Sequence, residues 1–122
     1  MTRASNQLGS KGEQVAVDWL RRSGMKIVAR NWRFGRNEID AVALDEDVVV
    51  FVEVKTRSGR SHGGALGAVG IAKQRAIVRA ARGFLSLRRW LDRRCRFDVV
   101  AVTPGADGPE VQHVKGAFDV PD

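Results

Sequence analysis

The chain holds a single cysteine, Cys95, in 122 residues. One cysteine excludes an internal disulfide and any zinc site built on several cysteines. Proline is scarce, at three residues, and no apolar run nears the roughly 18 residues of a membrane span. The longest such run starts at Val48 and is broken at Glu53. The first stretch, residues 1–11, is polar and lacks the apolar segment of a secretory signal. The expectation is a cytoplasmic protein. Acids are nearly missing from one region: residues 71–96 carry nine bases and one acid, Asp92.

Hydrophobic residues, 43% of the chain, suffice for one modest core, and the length suits one domain. A single domain over residues 1–122 is therefore expected, with residues 1–9 as a flexible lead-in. The net charge is +7, and 16 of the 21 bases are arginine. Arginine presents a planar fork that grips phosphate oxygens at two points. The tail, residues 97–122, has one base and five acids, so the positive charge is concentrated in the segment before it. That asymmetry points to a polyanion-binding face. The plainer reading is a solvated basic helix.

Ser10-Lys11-Gly12-Glu13 has the form of a capping box, with Ser10 starting a helix and Glu13 bonding back to it. Val15, Ala16, Trp19 and Leu20 follow at helical spacing, and Gly24 ends the run. Residues 25–32 and 38–44 read as strands, with Asp45-Glu46-Asp47 as a polar turn. Val48–Thr56, rich in β-branched residues, is the strongest strand. Residues 58–70 form a Gly-rich loop, and 71–94 a long helix, bent near Gly83. Residues 96–103 and 109–114 read as further strands. This order predicts an α/β fold, a mixed sheet with helices packed on it.

In the strand Val48–Thr56 the even positions Val48, Val50, Val52 and Val54 form one apolar face. The odd positions run Val49, Phe51, then Glu53 and Lys55, so an acid and a base share a face at the end of a hydrophobic strand. Glu38 and Asp40 share a face of the preceding strand. A hairpin can bring Asp40 near Glu53. If Asp45 faces Asp47 across the turn, Asp40 faces Val52 and lies on the other side from Glu53. A slip of one residue sets Asp40 opposite Glu53, and the sequence leaves both registers open. Two carboxylates and an ammonium at a strand end suit metal-assisted phosphodiester cleavage. Hard cations take carboxylate and phosphate oxygens. The metal polarises the phosphate and acidifies a bound water, and a lysine orients that water or stabilises charge. A surface ion pair between Lys55 and an acid is the plainer alternative.

Asn37-Glu38-Ile39-Asp40, followed by Phe51-Val52-Glu53-Val54-Lys55-Thr56-Arg57, resembles the YraN-like family of small predicted endonucleases. Gly12-Glu13, Arg30-Asn31, Lys73 and Arg96-Phe97-Asp98 match its pattern too, from about Gly12 to Val102. The resemblance implies a restriction-endonuclease-like core of the PD-(D/E)XK type, similar to archaeal Holliday-junction resolvases. It implies Asp40 and Glu53 as ligands of Mg²⁺ or Mn²⁺ and Lys55 as the catalytic lysine. Glu13 would be an accessory acid from the first helix, and Gln74 (or Lys73) would assist from the later one. Asn37 stands where the family usually has glycine, and Ile39 where the fold's signature has proline.

The function expected is metal-dependent hydrolysis of DNA, directed by structure such as branches or flaps. Arg57, Lys73, Arg75, Arg79, Arg82, Arg88 and Arg89 are the candidates for contact with backbone phosphates, which position substrate without reading sequence. A resolvase acting on a two-fold junction would need a homodimer. The alternatives are a non-catalytic nucleic-acid-binding module and an accessory protein that docks its basic helix on an acidic partner. Trp19, Trp32 and Trp90 read as packing residues, with stacking on a base as the sharper option for Trp90. Asp98 reads as an ion pair with Arg96. His62 and His113 have no metal-ligand spacing. Cys95 reads as an ordinary free thiol; Arg94 and Arg96 beside it could lower its pKa, but nothing supplies a base for nucleophilic catalysis.

Overall fold

Two hydrophobic cores lie on opposite faces of one five-stranded sheet. The computed structural model describes residues 3–56 and 69–120, with side chains from Lys11 onward. The elements run α1 (Arg3–Arg22), β1 (Lys26–Phe34), β2 (Asn37–Asp45), β3 (Val48–Thr56), α2 (Ile71–Arg88), β4 (Cys95–Thr103) and β5 (Glu110–Phe118). The strands lie in chain order; β3 and β4 are parallel, and the other neighbours are antiparallel. A parallel pair needs a long crossover, and α2 supplies it. The expected α/β mixed sheet flanked by helices is what forms. Among the described residues no helix is long and apolar enough to cross a membrane.

β3 feeds both cores by simple alternation. Val50 and Val52 join Ala16 and Leu20 of α1, with Ala41, Ala43 and Val100. Val49 and Phe51 join Ile77, Ala81 and Phe84 of α2, with Val42 and Phe97. A strand covered on both faces reads as an almost continuous apolar run, and this one does. Trp32 and Trp90 pack against the α2-side core, as expected, and Trp19 against the other.

Three boundaries differ from the sequence expectation by more than two residues. α1 starts at Arg3, so Ser10 lies inside the helix and the capping box does not form. Residues 3–9 contain no proline to stop the helix from continuing back through them. α2 ends at Arg88, short of residue 94, because Arg89 turns left-handed at φ 59°. The Trp90 N–H then bonds the Leu85 carbonyl at 2.8 Å and the Arg89 N–H that of Ser86 at 3.2 Å, a Schellman ending without glycine. Trp90 meets Phe84 edge-on, 6.0 Å between centroids, which fixes the reversal. Gly83, by contrast, lies within α2: a Cβ there would overlap the Phe34 ring, so its small size serves close packing. Finally, β5 extends to Phe118.

Asp98 of β4 is the one buried charged residue among those described, 1% exposed. Arg96 donates to both its oxygens, at 2.8 and 3.0 Å, and the Gly116 N–H adds a bond at 3.0 Å. His113 Nε2 lies 2.8 Å from Asp98, while Trp19 Nε1 donates to His113 Nδ1 at 3.2 Å. A ring nitrogen that accepts from Trp19 leaves Nε2–H to donate to Asp98. The expected Arg96–Asp98 pair is therefore part of a network, and His113 joins α1, β4 and β5 through it.

Candidate active site

The candidate chemistry collects where β2 and β3 part. Their pairing runs from Asp45–Val48 to Ala41–Val52. Glu46 and Asp47 alone form the turn, with Glu46 left-handed at φ 56°. Of the two registers open in the sequence, this one points Asp40 toward Glu53. Beyond the last pair the Asp40 carboxylate takes over from the backbone: Val54 N–H donates to its Oδ2 at 2.7 Å. Ile39 and Val42 both enter the α2-side core although they are three residues apart, so the strand's alternation slips at Asp40 and Ala41.

Glu13 arrives from α1 because of the residue before it. Gly12 is buried against Thr56 at the end of β3, and a Cβ on it would overlap the threonine side chain. Only glycine lets the helix lie this close. Glu13, no longer a capping residue, joins Glu38 and Asp40, each giving one carboxylate oxygen within 4.8 Å of the others. Glu53 stands beside them with Lys73 Nζ of α2 at 3.7 Å from its Oε1.

The electrostatics of this group are unfavourable by themselves. Burial, then the charges of Asp40 and Glu38, raise the Glu13 pKa against the pull of Arg30. Burial also raises that of Asp40, with Glu38 adding to it and the Val54 N–H and Lys73 opposing. Glu53 is pushed up to about 7 by burial and then by Asp40, with Lys73 and Lys55 resisting. Carboxylates crowded at low dielectric share protons or take up a cation. The oxygen-only donor set matches hard cations such as Mg²⁺ and Mn²⁺.

Of the residues expected from sequence, Glu13, Asp40, Glu53 and Lys55 fall in one neighbourhood. Gln74 donates its amide N–H to the Val69 carbonyl, at 2.8 Å, at the start of α2. Lys73 meets Glu53 instead. Glu38, which joins the acids, has two signals in the sequence: the face it shares with Asp40 and its place in the Asn37-Glu38-Ile39-Asp40 motif. Arg75, Arg79 and Arg82 are exposed on one side of α2 and, with Val78, line a cleft of about 140 Å³. Arg88 stacks over Phe84 at 5.0 Å and Trp90 at 5.5 Å; Arg93 covers Trp90 at 4.2 Å. Arg89 is exposed at the left-handed turn. Arg57 and His62 lie outside the described residues, as does most of the Gly-rich loop.

Cys95 is a free, exposed thiol, as read, and burial pushes its pKa up rather than down. Arg94 and Arg96 are spent on Asp47, Asp45 and Asp98 and do not lower it. A larger, apolar hollow of about 310 Å³ borders Gly12, Thr56 and Pro104 but includes none of the acids. Ligand sites are often apolar clefts, yet the titratable groups converge elsewhere, and the chemistry is assigned to them.

The profile of the Uncharacterised protein family UPF0102 matches residues 12–102, a span holding all four acids. The UPF0102 protein of Syntrophotalea carbinolica is 53% identical, over 98% of this chain and 98% of its own. That of Geobacter metallireducens is 43% identical, again over 98% of each. A relative from Symbiobacterium thermophilum is 50% identical, over 85% of this chain and 88% of its own. From Gly12-Glu13 at the start of the match to the strand after α2, the chain belongs to the UPF0102 family, the YraN-like group its motifs resemble.

Proposed function

We propose that this protein is a metal-dependent nuclease with a restriction-endonuclease-like, PD-(D/E)XK-type core, hydrolysing phosphodiester bonds in branched or flapped DNA. The observation that carries this reading is the meeting of Glu13, Glu38 and Asp40 within 4.8 Å, beside Glu53 and its lysines. Asp40 and Glu53 would hold Mg²⁺ or Mn²⁺, with Glu13 and Glu38 at its edge. The cation would polarise the phosphate and make a bound water nucleophilic at neutral pH. Val54 N–H keeps Asp40 aimed at the site. Lys73 offsets the Glu53 charge, and Lys55, on the same strand, orients the attacking water. Arg75, Arg79 and Arg82 take backbone phosphates, and Arg88 and Arg89 at the end of α2 are further candidates, as is Arg57 by sequence alone. A four-way junction as substrate would require two copies of the chain.

The test is incubation with labelled duplex, single-stranded, flap and four-way-junction DNA in Mg²⁺, Mn²⁺ or EDTA. Metal-dependent cutting is expected, falling at least about 10²-fold in Glu53→Ala and in Lys55→Ala while binding persists. Binding without cutting under every condition would favour the non-catalytic module. Neither binding nor cutting would count against both DNA readings.

The arginine track has its own measurement. Removing Arg75, Arg79 and Arg82 together should flatten the slope of log affinity against log salt by about 2.7 for duplex DNA. An unchanged slope would place the phosphate contacts elsewhere.

A further inference from the structure

Asn31 occupies an unusual position in β1. It lies between the pairs Arg30–Ala41 and Trp32–Ile39, and so across from Asp40. Its φ is 52°, left-handed in the middle of a strand. Asparagine tolerates that region better than most residues with a side chain. The neighbours show what the kink does. Arg30 reaches Gln14 of α1 at 3.1 Å, whereas Trp32, two residues on, donates to the Ala80 carbonyl of α2 at 3.2 Å. Residues two apart in a regular strand share a face; these two do not, and the break falls on Asn31.

With its amide nitrogen turned to the acids, Asn31 donates to Glu13 Oε1 at 3.1 Å and to Glu38 Oε1 at 3.2 Å. The opposite orientation would set an amide oxygen against carboxylates. One –NH₂ has two N–H bonds to give, so a single side chain ties a carboxylate of α1 to one of β2.

We propose that Asn31 is a positioning residue that sets the spacing of Glu13 and Glu38 for the cation. This rests on the metal-site reading above. The amide holds two like charges together before a cation enters, so less ordering remains to be done on binding. Groups that orient metal ligands from outside the coordination sphere typically change metal affinity by about 10–100-fold. The left-handed backbone and the amide act together, since the kink directs the side chain to the acids.

The roles of backbone and amide separate in the Asn31→Gly variant, which keeps the left-handed conformation and removes the amide. Mn²⁺ binding to the full chain, measured by calorimetry without DNA, is expected to weaken about 10-fold, with a melting temperature in EDTA close to wild type. Asn31→Asp keeps the size and the tolerance of positive φ but sets a carboxylate where the N–H groups were. Its melting temperature in EDTA should fall, and added Mn²⁺ should restore it. Wild-type Mn²⁺ affinity in Asn31→Gly, or an Asn31→Asp protein that melts with the wild type in EDTA, would overturn the positioning role. A wild-type protein that takes up no Mn²⁺ would overturn the metal-site reading and this role with it.

Discussion

Glu53→Gln is expected to make the metal-free protein more stable at pH 8 while removing the metal-dependent cleavage proposed for it. The glutamate ionises near 4.5 in an unfolded chain and at about 7 in the fold, raised by burial and then by Asp40. Between those values the folded state keeps a proton that the unfolded state releases. The contribution of this group is therefore complete below 4.5 and lost as pH rises through about 7. At 1.36 kcal/mol for each pH unit, the loss is roughly 3 kcal/mol. Glutamine has no proton to lose and escapes the penalty. Urea titrations in EDTA should give coincident curves for the two proteins at pH 4.5 and a more stable variant at pH 8. Equal stability at pH 8 would mean that Glu53 is solvated well enough to ionise freely. The Lys73 contact does not cancel the effect, since that lysine's side chain is 51% exposed and its attraction is screened.

The same shift links stability to activity. A group held partly protonated at neutral pH must release that proton to bind a cation, so metal uptake near pH 7 should liberate protons. Destabilising charge kept at a functional site is a common trade of stability for function, and the proposed metal site would be one such case. Glu13 and Asp40, both raised in the same direction, add to it.

Much of this arrangement was legible in the sequence, because apolar alternation is a local property. Val48 to Val54 announced a strand buried on both faces, and Glu53 and Lys55 followed as its only polar departures before Thr56. The hairpin register was not legible. Asp45-Glu46-Asp47 holds no Asn-Gly or Asp-Gly pair to fix its tip, and only the fold shows Glu46 and Asp47 taking the turn alone. Nor was the end of α2, since arginine at a left-handed position carries no sequence signal of the kind glycine does. Glu13 had a complete local explanation as a cap and entered the candidate set only through the family resemblance. Its place beside Asp40 depends on Gly12 meeting Thr56, a contact between residues far apart in the chain. Asn31 carries no local sign of its role for the same reason: its partners are on α1 and β2.

Asp98→Ala should have the largest effect on stability, a loss of about 3–5 kcal/mol. The Asp98 side chain has no exposed surface, and burial alone would favour its neutral form. Bonds from His113, Arg96 and the Gly116 N–H outweigh that and hold its pKa below 3.8. Alanine leaves three donors without their acceptor. Arg96 keeps Asp45 at 3.2 Å, but His113, whose side chain is 6% exposed, keeps only Trp19. A domain stabilised by about 5–15 kcal/mol cannot lose this much and retain a wide margin. The pH dependence runs opposite to that of Glu53. A carboxylate with a depressed pKa contributes fully above its unfolded value of 3.8, and the contribution disappears as acid protonates it in the fold. Wild type should therefore lose stability toward low pH through Asp98 and toward high pH through Glu53, with the metal-free optimum between them. In Asp98→Ala the acid limb should flatten, and in Glu53→Gln the alkaline limb. An Asp98→Ala protein that unfolds in urea with the wild type at pH 6 would mean that Arg96 and His113 find water or other partners, and that β4 and β5 are held by their backbone ladder and apolar contacts alone.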